Sequence, residues 1–217
     1  MAKLSDMQAY SLMKKYRIPV LGQILARNEK QALMAAKRIG WPVALKISSP
    51  EIIHKTDFGG VELNVLNEKQ LSETFSRIII RARKKYPKAK IDGILVQEMF
   101  KGKAAREVII GSKTDSQFGP IIMFGLGGVF VEVMKDVSFR LIPIERKDAR
   151  GMIREIRGYP MLEEFRGMRR VNFEALEDCL LRASSMVWKN KRIKELDINP
   201  LFADSKGAIA ADFRVIV

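Results

Sequence analysis

A lysine within an apolar strand is the feature that most limits how this chain can fold. Residues 42–65 contain two β-rich runs, 42–47 and 61–65, which enclose a polar loop. Lys46 lies inside the first run, and a buried ammonium group needs a partner, because burying an unpaired charge is costly or removes its proton. The segment is therefore expected to be a strand–loop–strand unit that places a charged group at a site.

The loop between the two runs carries residues suited to phosphate chemistry. It holds His54, the single histidine of the chain, followed by Lys55, and Gly59-Gly60 opens the second run. Paired glycines let backbone N–H groups approach a ligand closely, as they do in phosphate-binding loops. On these residues alone two interpretations stay open: a site that handles phosphate, and an ordinary hairpin with a surface lysine and a loop histidine.

Length and composition limit the class of protein. A chain of 217 residues, 47% of them hydrophobic, can form one large domain or two small subdomains around a core. No apolar run reaches the roughly 20 residues of a membrane-spanning helix, and the charged N-terminus lacks the apolar core of a signal peptide. Cys179, the single cysteine, excludes an internal disulfide and favours a cytoplasmic location.

The net charge of +14 is concentrated in the first half of the chain. Residues 1–110 hold 21 Lys and Arg against 10 Asp and Glu. Such asymmetry fits nucleic-acid binding, and it fits equally an attraction for nucleotides and an acidic partner. The densest cluster, at 81–90, ends a predicted helix, where cations suit the helix dipole. No nucleic-acid-binding motif accompanies this cluster, so a solvated helix end is favoured.

Periodicity and capping signals predict alternating helices and strands, followed by a β-rich second half. Asn28 with Gln31, and Asn67 with Gln70, have the spacing of capping boxes. Helices are predicted at 5–16, 28–39, 67–86, 146–157 and 172–188, and strands at 18–21, 42–47, 61–65, 91–100, 106–112, 120–124, 129–134, 139–144, 193–199 and 208–216. This order favours an α+β (α/β) chain in two interlocked lobes.

Glu-Leu-Asp-Ile-Asn-Pro, residues 195–200, forms a second informative stretch. In a strand Glu195, Asp197 and Asn199 face the same way. Asp212 lies on the strand that returns alongside. A carboxylate and an amide oxygen on neighbouring strands suit Mg²⁺, which takes one or two protein carboxylates together with nucleotide phosphates. The alternative is the polar outer face of an edge hairpin.

With these motifs in view the chain resembles the ATP-grasp β subunit of the ADP-forming acyl-CoA synthetases (acetate–CoA ligases). It is similar, more distantly, to the β subunit of succinyl-CoA synthetase. The His-Lys-Thr-Asp loop at 54–57 is the specific part, since generic ATP-grasp enzymes lack it. The other segments that carry the resemblance are 16–20, 40–47, 49–61, 96–99, 106–111, 124–128 and 197–201.

The resemblance implies a fold and a role for each site residue. The fold is a single ATP-grasp domain, 1–217, with approximate lobes 17–99 and 100–217 and the nucleotide between them. His54 carries a phosphoryl group transiently, and Asp197 supports that histidine. Asn199 and Asp212 hold Mg²⁺. The implied contacts with ATP or ADP are Lys46 at the phosphates, Gln97, Glu98 and Met99 as the hinge that holds adenine, and Lys55, Gly59, Gly60 and Glu107.

The resemblance also implies a partner and a reaction. The partner is an α subunit with the CoA-binding domain and a second phosphorylated histidine, in a heterotetramer or similar oligomer. The reaction is acyl-CoA + ADP + phosphate ⇌ acid + CoA + ATP, through phosphohistidine. Two rival functions stay open: another ATP-grasp ligase that makes an acyl phosphate, and a non-catalytic nucleotide-binding relative. Retention of Lys46, Asn199 and Asp212 argues against the second rival.

Overall fold

The computed structural model describes residues 2–102, 104–128, 135–164, 167 and 169–217. The chain divides into two compact units. The larger unit contains Met1–Leu4, Ala9–Val20 and Lys101–Val217, and the smaller unit contains Ser5–Gln8 and Leu21–Phe100. Within the described ranges, no helix is both long and apolar enough to cross a membrane.

Helices and strands alternate in the first half, and strands dominate the second, as the sequence predicts. In chain order the described elements are α1 (Asp6–Lys15), β1 (Gln23–Ala26), α2 (Glu29–Ile39), β2 (Val43–Ser48), β3 (Val61–Val65), α3 (Glu68–Lys85), β4 (Gly93–Glu98), β5 (Arg106–Asp115), β6 (Gly119–Leu126), β7 (Val137–Leu141), α4 (Arg146–Glu155), α5 (Phe173–Lys189), β8 (Glu195–Ala203), β9 (Ala208–Ala210) and β10 (Phe213–Ile216).

Both predicted asparagine caps are confirmed, but neither is a complete capping box. The side chain of Asn28 accepts a hydrogen bond from the Gln31 N–H at the start of α2, and Asn67 accepts one from Gln70 N–H at the start of α3. Each cap satisfies an N–H group that has no partner within the helix. The side chains of Gln31 and Gln70 accept from the N–H groups of Arg27 and Leu66, one residue before each cap, and not from the cap residue itself. Gly40 ends α2 with a φ of 91°, a backbone conformation that residues other than glycine rarely adopt.

The smaller unit contains a four-stranded antiparallel sheet in the order β1-β4-β2-β3. One face of this sheet packs against apolar side chains of α2 and α3, and its inward residues include Val43, Leu45, Ile47, Ile94 and Val96. Side chains alternate across a strand, so the residues between these point to the opposite face. That opposite face carries the polar residues described below.

The larger unit contains an antiparallel sheet whose path among the described strands is β10-β8-β5-β6-β7, with β9 paired to β8. Helices α4 and α5 supply apolar side chains to its core, together with Val108, Phe124 and Ile198. Cys179 on α5 lies in this core, and burial raises the pKa of its thiol to about 12.

Residues near the two ends of the chain pair with each other. Ala2 N–H donates to the Val217 carbonyl at 2.8 Å, and Val217 N–H donates to the Ala2 carbonyl at 2.9 Å. Leu4 N–H adds a bond to the Val215 carbonyl at 3.0 Å. The first described residues therefore extend the sheet of the larger unit beside β10.

The structure differs most from the sequence prediction at two strands, and a third predicted strand is not tested. The strand expected from Ile18 begins at Gln23, and Val20 makes only an isolated bridge with Ala210. The strand expected at 208–216 is interrupted by Ala211 and Asp212. The strand expected at 129–134 lies outside the described residues.

Candidate active site

Lys46 and Gln97 lie on the polar face of the four-stranded sheet. Strand β2 pairs with β4 so that Ala44 is opposite Gln97 and Lys46 is opposite Leu95. Residues two apart on a strand share a face, so the ammonium of Lys46 and the amide of Gln97 project from the same side. Both residues are buried, at 7% and 2% exposure. The structure therefore brings these two predicted nucleotide contacts together.

Gln23 adds a buried donor beside Gln97. The two residues are opposite each other on β1 and β4, and Gln97 Nε2 donates to Gln23 Oε1 at 3.1 Å. Gln23 Nε2 is buried and makes no hydrogen bond with any described residue. A buried donor without an acceptor costs about 1–3 kcal/mol. Such an atom fits a face on which a ligand supplies the acceptor.

The predicted hinge, Gln97 to Met99, coincides with the end of β4 at Glu98. Glu98 is joined to Gly22 by two hydrogen bonds: its N–H donates to the Gly22 carbonyl at 2.8 Å, and its Oε2 accepts from Gly22 N–H at 3.3 Å. The carboxylate of Glu98 is thus held at the start of β1. Met99, which follows the strand, is half-buried.

His54 is exposed on the loop that joins β2 to β3. Ile53, beside it, is 49% exposed, whereas Ile52 is 1% exposed and packs in the core of the smaller unit. The chain therefore leaves the core at Ile53 and presents the imidazole to the surroundings. This exposure is what a transient phosphoryl carrier needs, because donor and acceptor must both reach the ring.

Lys55 forms an ion pair with Asp6 that the sequence does not reveal. Its Nζ lies 3.1 Å from Asp6 Oδ1 and 3.0 Å from Oδ2. Ser48 Oγ donates to the same carboxylate at 2.8 Å. The Lys55 ammonium is therefore engaged within the chain, and its predicted contact with nucleotide stays an untested prediction.

Gly59 and Gly60 were expected to offer N–H groups to phosphate, but both N–H groups donate within the loop. Gly59 N–H bonds the Thr56 carbonyl at 3.0 Å, and Gly60 N–H bonds the Lys55 carbonyl at 2.8 Å. Backbone conformation explains glycine at position 59, where φ is 71°, a value that residues with a side chain rarely adopt.

Gly60→Ala is expected to lower the free energy of unfolding by about 1–3 kcal/mol, as overpacking of a close contact does. Its Cβ would lie 2.6 Å from the Lys55 carbonyl oxygen and 2.5 Å from Phe58 Cζ. Thermal unfolding measures the change. Gly207→Ala is the matched control, because a Cβ there meets no atom within 4 Å. Equal melting temperatures for the two variants would contradict the prediction.

Asp197 lies on β8 of the larger unit with the alternation that the sequence predicts. Leu196 and Ile198 are buried, and Asp197 is half-buried on the other face. Arg214 Nη2 on β10 lies 3.7 Å from Asp197 Oδ2. Burial raises the pKa of the Asp197 carboxyl above its usual range, an effect that Arg214 opposes and that Asp212 and Glu195 reinforce.

Asn199 on β8 lies beside Asp212, one of the two residues that separate β9 from β10. Asn199 N–H donates to the Asp212 carbonyl at 3.0 Å, and Asp212 Oδ1 accepts from Phe213 N–H. Asn199 is exposed and Asp212 is half-buried. Within the described ranges no group of three or more His, Cys, Asp or Glu could hold a metal. The pair fits Mg²⁺ that takes its remaining ligands from nucleotide phosphates and water.

Glu107, the remaining predicted nucleotide contact, is exposed on β5. Its carbonyl accepts a hydrogen bond of 2.6 Å from Gly127 N–H. A Cβ on Gly127 would lie 3.0 Å from Glu107 Cβ, so the glycine permits this close approach. Gly127 belongs to the glycine-rich segment 124–128, one of those that carry the resemblance.

Two cavities of the larger unit differ in their relation to these residues. A cavity of about 410 Å³ is lined by Asp197, Glu195 and Arg214, together with the apolar side chains of Met123 and Phe139. A second cavity, of about 780 Å³, contains none of the predicted site residues. Its lining includes four arginines and four glutamates, so it has no net charge that would favour a phosphate: Arg150, Arg154, Arg169, Arg170, Glu163, Glu164, Glu174 and Glu177.

Sequence reasoning missed Asp6, Gln23 and Ser48. Asp6 has the ordinary appearance of an acidic residue in the first turn of a helix. Its partner Lys55 is 49 positions away, so no local pattern connects them. Gln23 differs: a glutamine that opens a buried strand is an unusual polar residue, and this signal was available.

Comparison with known proteins places the chain in a family. A family model described as the ATP-grasp domain matches residues 1–217. The β subunit of acetate–CoA ligase [ADP-forming] I of Pyrococcus furiosus is 46% identical over 214 residues, which is 99% of this chain and 91% of that subunit.

Solved structures support the same family assignment. An acetyl-coenzyme A synthetase 1 of Ca. Korarchaeum cryptofilum, in complex with coenzyme A and Ca-AMPCP, superposes with a TM-score of 0.96 at 43% identity, and the match covers 100% of this chain and 93% of that one. The same synthetase with Mg-AMPPCP, its phosphohistidine segment pointing towards the nucleotide-binding site, has a TM-score of 0.86 at 40% identity over 99% of this chain and 92% of that one. The resemblance seen in the sequence is thus confirmed, and the chain belongs to the ATP-grasp family, among the β subunits of the ADP-forming acetate–CoA ligases.

Proposed function

We propose that this chain is the nucleotide-binding β subunit of an ADP-forming acyl-CoA synthetase and that His54 is its phosphoryl carrier. The reaction is acyl-CoA + ADP + phosphate ⇌ acid + CoA + ATP. The observation that carries the proposal is the exposed imidazole of His54, on a loop that leaves the same sheet whose polar face holds Lys46 and Gln97. The related synthetase described with a phosphohistidine segment supports the same chemistry.

Residues of the smaller unit contact the nucleotide. Lys46 binds its phosphates, and Gln97, Glu98 and Met99 hold the base. Gln23 strengthens this assignment, because its buried Nε2 donor finds an acceptor in a purine ring. The ligand would thus supply the acceptor that Gln23 Nε2 lacks among the described residues.

Residues of the larger unit complete the proposal. Glu107 contacts the adenosine, and Asp197 supports the histidine as a carboxylate beside an imidazole commonly does. Asn199 and Asp212 hold Mg²⁺, which neutralises charge on the phosphates when it is bound. Phosphoryl transfer depends mainly on positioning and charge neutralisation, so these residues need do no covalent chemistry.

The covalent step belongs to His54. The unprotonated ring nitrogen attacks the γ-phosphorus, so that an N–P bond forms while the bond from phosphorus to the bridging oxygen of ADP breaks. ADP leaves with that electron pair, and the other ring nitrogen retains its proton. Transfer from phosphohistidine to ADP is the same step in reverse.

An α subunit with the CoA-binding domain and a second phosphorylated histidine completes the enzyme, in a heterotetramer. The support is the relative that matches almost end to end and is itself a β subunit. A cytoplasmic location belongs to the same proposal and is supported by the presence of a single cysteine, Cys179, which is buried.

Label transfer from γ-phosphate-labelled ATP with Mg²⁺ tests the proposal. We expect acid-labile label on the wild-type chain and none on His54→Ala, with ATP binding measured in parallel on both. The assay is run on the chain alone and with the α subunit. Equal labelling of His54→Ala, or no label with the α subunit present despite ATP binding, would contradict the phosphohistidine route and favour an ATP-grasp ligase that makes an acyl phosphate.

A further inference from the structure

The carboxylate of Asp6 joins the two ends of the segment that carries His54. Ser48, the last residue of β2, donates to Asp6 Oδ2 at 2.8 Å. Lys55, the residue after His54, contacts both carboxylate oxygens at 3.1 and 3.0 Å. We refer to Asp6, Ser48 and Lys55 as the Asp6 clasp. All three belong to the smaller unit.

The Asp6 clasp is shielded from water. The side chains of Lys55 and Asp6 are 10% and 8% exposed, and Ser48 is buried. A buried ion pair is maintained only where additional hydrogen bonds satisfy its atoms, and the Ser48 hydroxyl supplies one. The exposed pair Lys37–Glu68 on the same unit, at 61% and 57% exposure, lacks this protection.

The residues between Ser48 and His54 are also held in place, by hydrogen bonds and by one buried side chain. Ser49 Oγ accepts hydrogen bonds from the N–H groups of Glu51 at 3.1 Å and Ile52 at 3.2 Å. Ile52 is fully buried in the apolar core. This side of the loop is therefore held by a turn and by an apolar anchor.

On the other side of His54, the Lys55 carbonyl accepts from Gly60 N–H at 2.8 Å, and Ile47 N–H donates to the Gly60 carbonyl at 2.8 Å. These bonds attach the backbone of Lys55 to β2. Only Ile53 and His54 lie between the two anchored sides, and both are exposed. The histidine thus stands on a two-residue projection with fixed ends.

From this arrangement we propose that Asp6 and Lys55 are positioning residues for His54, an inference that rests on the proposed function of that histidine. The Asp6 clasp fixes the separation and direction of the loop ends, and hence the volume that the imidazole can sample. In-line phosphoryl transfer requires the attacking nitrogen at the correct distance from phosphorus, and a displacement of about 1 Å can cost about 10²-fold in rate.

Two other roles for these residues make different predictions. If Lys55 binds phosphate, its removal weakens ATP binding. If Asp6 serves only the start of α1, where a carboxylate suits the helix dipole, its removal lowers thermal stability and leaves transfer unchanged. Positioning alone predicts slower transfer at unchanged nucleotide affinity.

The test measures the single-turnover rate of labelling at His54, at saturating labelled ATP and Mg²⁺, in the preparation that labels the wild-type chain. The main variant is Asp6→Asn/Lys55→Met, which removes both charges of the ion pair together. Lys55→Met alone, which leaves Asp6 with its Ser48 bond, is the second variant in case the double variant fails to fold. Lys55→Arg is the conservative variant, and Lys37→Gln, in the exposed pair, is the matched control.

We expect the double variant to label 10- to 100-fold more slowly, with the ATP dissociation constant within twofold of wild type and the same final extent of label. Lys55→Arg should recover most of the rate, because it keeps the charge that Asp6 binds. Lys37→Gln should label at the wild-type rate.

A folded double variant that labels as fast as wild type would overturn the inference, and so would an unchanged rate with a raised ATP dissociation constant, which would make Lys55 a phosphate ligand. A wild-type chain that takes no label with or without the α subunit would refute the proposed function, and this inference would be refuted with it. The two failures are therefore distinguished by the wild-type measurement.

Discussion

His54→Ala, in the complex of this chain with its α partner, is expected to lower acyl-CoA-dependent ATP synthesis by about 10³-fold or more, as removal of a nucleophile does. The imidazole nitrogen forms the bond to phosphorus, and alanine offers no atom that could replace it. The measurement is the steady-state rate of ATP formation from acyl-CoA, ADP and phosphate by the reconstituted complex.

The same variant should keep its stability and its nucleotide affinity. His54 is exposed, and substitutions of exposed side chains usually change the free energy of unfolding by no more than about 0.5 kcal/mol. An unchanged melting temperature and an unchanged ADP dissociation constant therefore serve as the controls. Turnover within tenfold of wild type would show that the phosphoryl group does not pass through this residue.

Lys46→Met is expected to weaken ATP binding by about 10- to 100-fold, the effect of losing a hydrogen bond between a charged donor and phosphate. Methionine keeps most of the apolar length of the side chain, so the strand position remains filled. Turnover at saturating ATP should fall further, by about 10²-fold or more, because the lysine also stabilises charge that develops during transfer. Calorimetric titration and the coupled rate assay measure the two effects.

Adenosine distinguishes this role from a general disturbance of the sheet. It has no phosphates, so its affinity should be the same for wild type and Lys46→Met. Lys69→Met, on an exposed position of α3, is the control for loss of one positive charge from this basic half of the chain. A parallel loss of adenosine and ATP binding in Lys46→Met would argue against a specific phosphate contact.

Local signals were sufficient where the physical cause is local. Asn28 and Asn67 cap their helices through side chains that reach only three residues ahead, so the sequence contains the whole interaction. Period-two alternation placed Asp197 and Asn199 on one face of β8 for the same reason. The ATP-grasp fold followed from motifs that extend along the whole chain.

Local signals were not sufficient where the physical cause joins distant positions. Lys55 next to a histidine suggests a second phosphate contact, and only the folded chain shows that Asp6 engages it. Gly59 and Gly60 have the pattern of a phosphate loop, yet Gly59 is required by its φ of 71°, and Gly60 by the Lys55 carbonyl oxygen and Phe58, which a Cβ would meet at 2.6 and 2.5 Å. The sequence pattern does not reveal which atoms lie next to a glycine in the folded chain.

The basic cluster at 81–90 has a partly structural explanation. Arg83, Lys84 and Lys85 lie in the last turn of α3, where they suit the dipole. Arg83 Nη1 also donates to the Ala89 carbonyl at 3.0 Å, which ties down the segment that follows the helix. These contacts support the interpretation of a solvated helix end and require no nucleic acid.

The pairing of Ala2 with Val217 has a consequence for how larger proteins can be built from this one. Ala2 and Val217 exchange hydrogen bonds at the edge of the same sheet. Polypeptides attached to residue 2 or to residue 217 would therefore begin close to each other. A short linker between residues 217 and 2 would close the chain without moving the sheet, and the hairpin turn at Ser205 and Lys206 offers an exposed position for new ends. The fold is therefore suited to insertion, permutation and fusion, with the order of the joined segments free to vary.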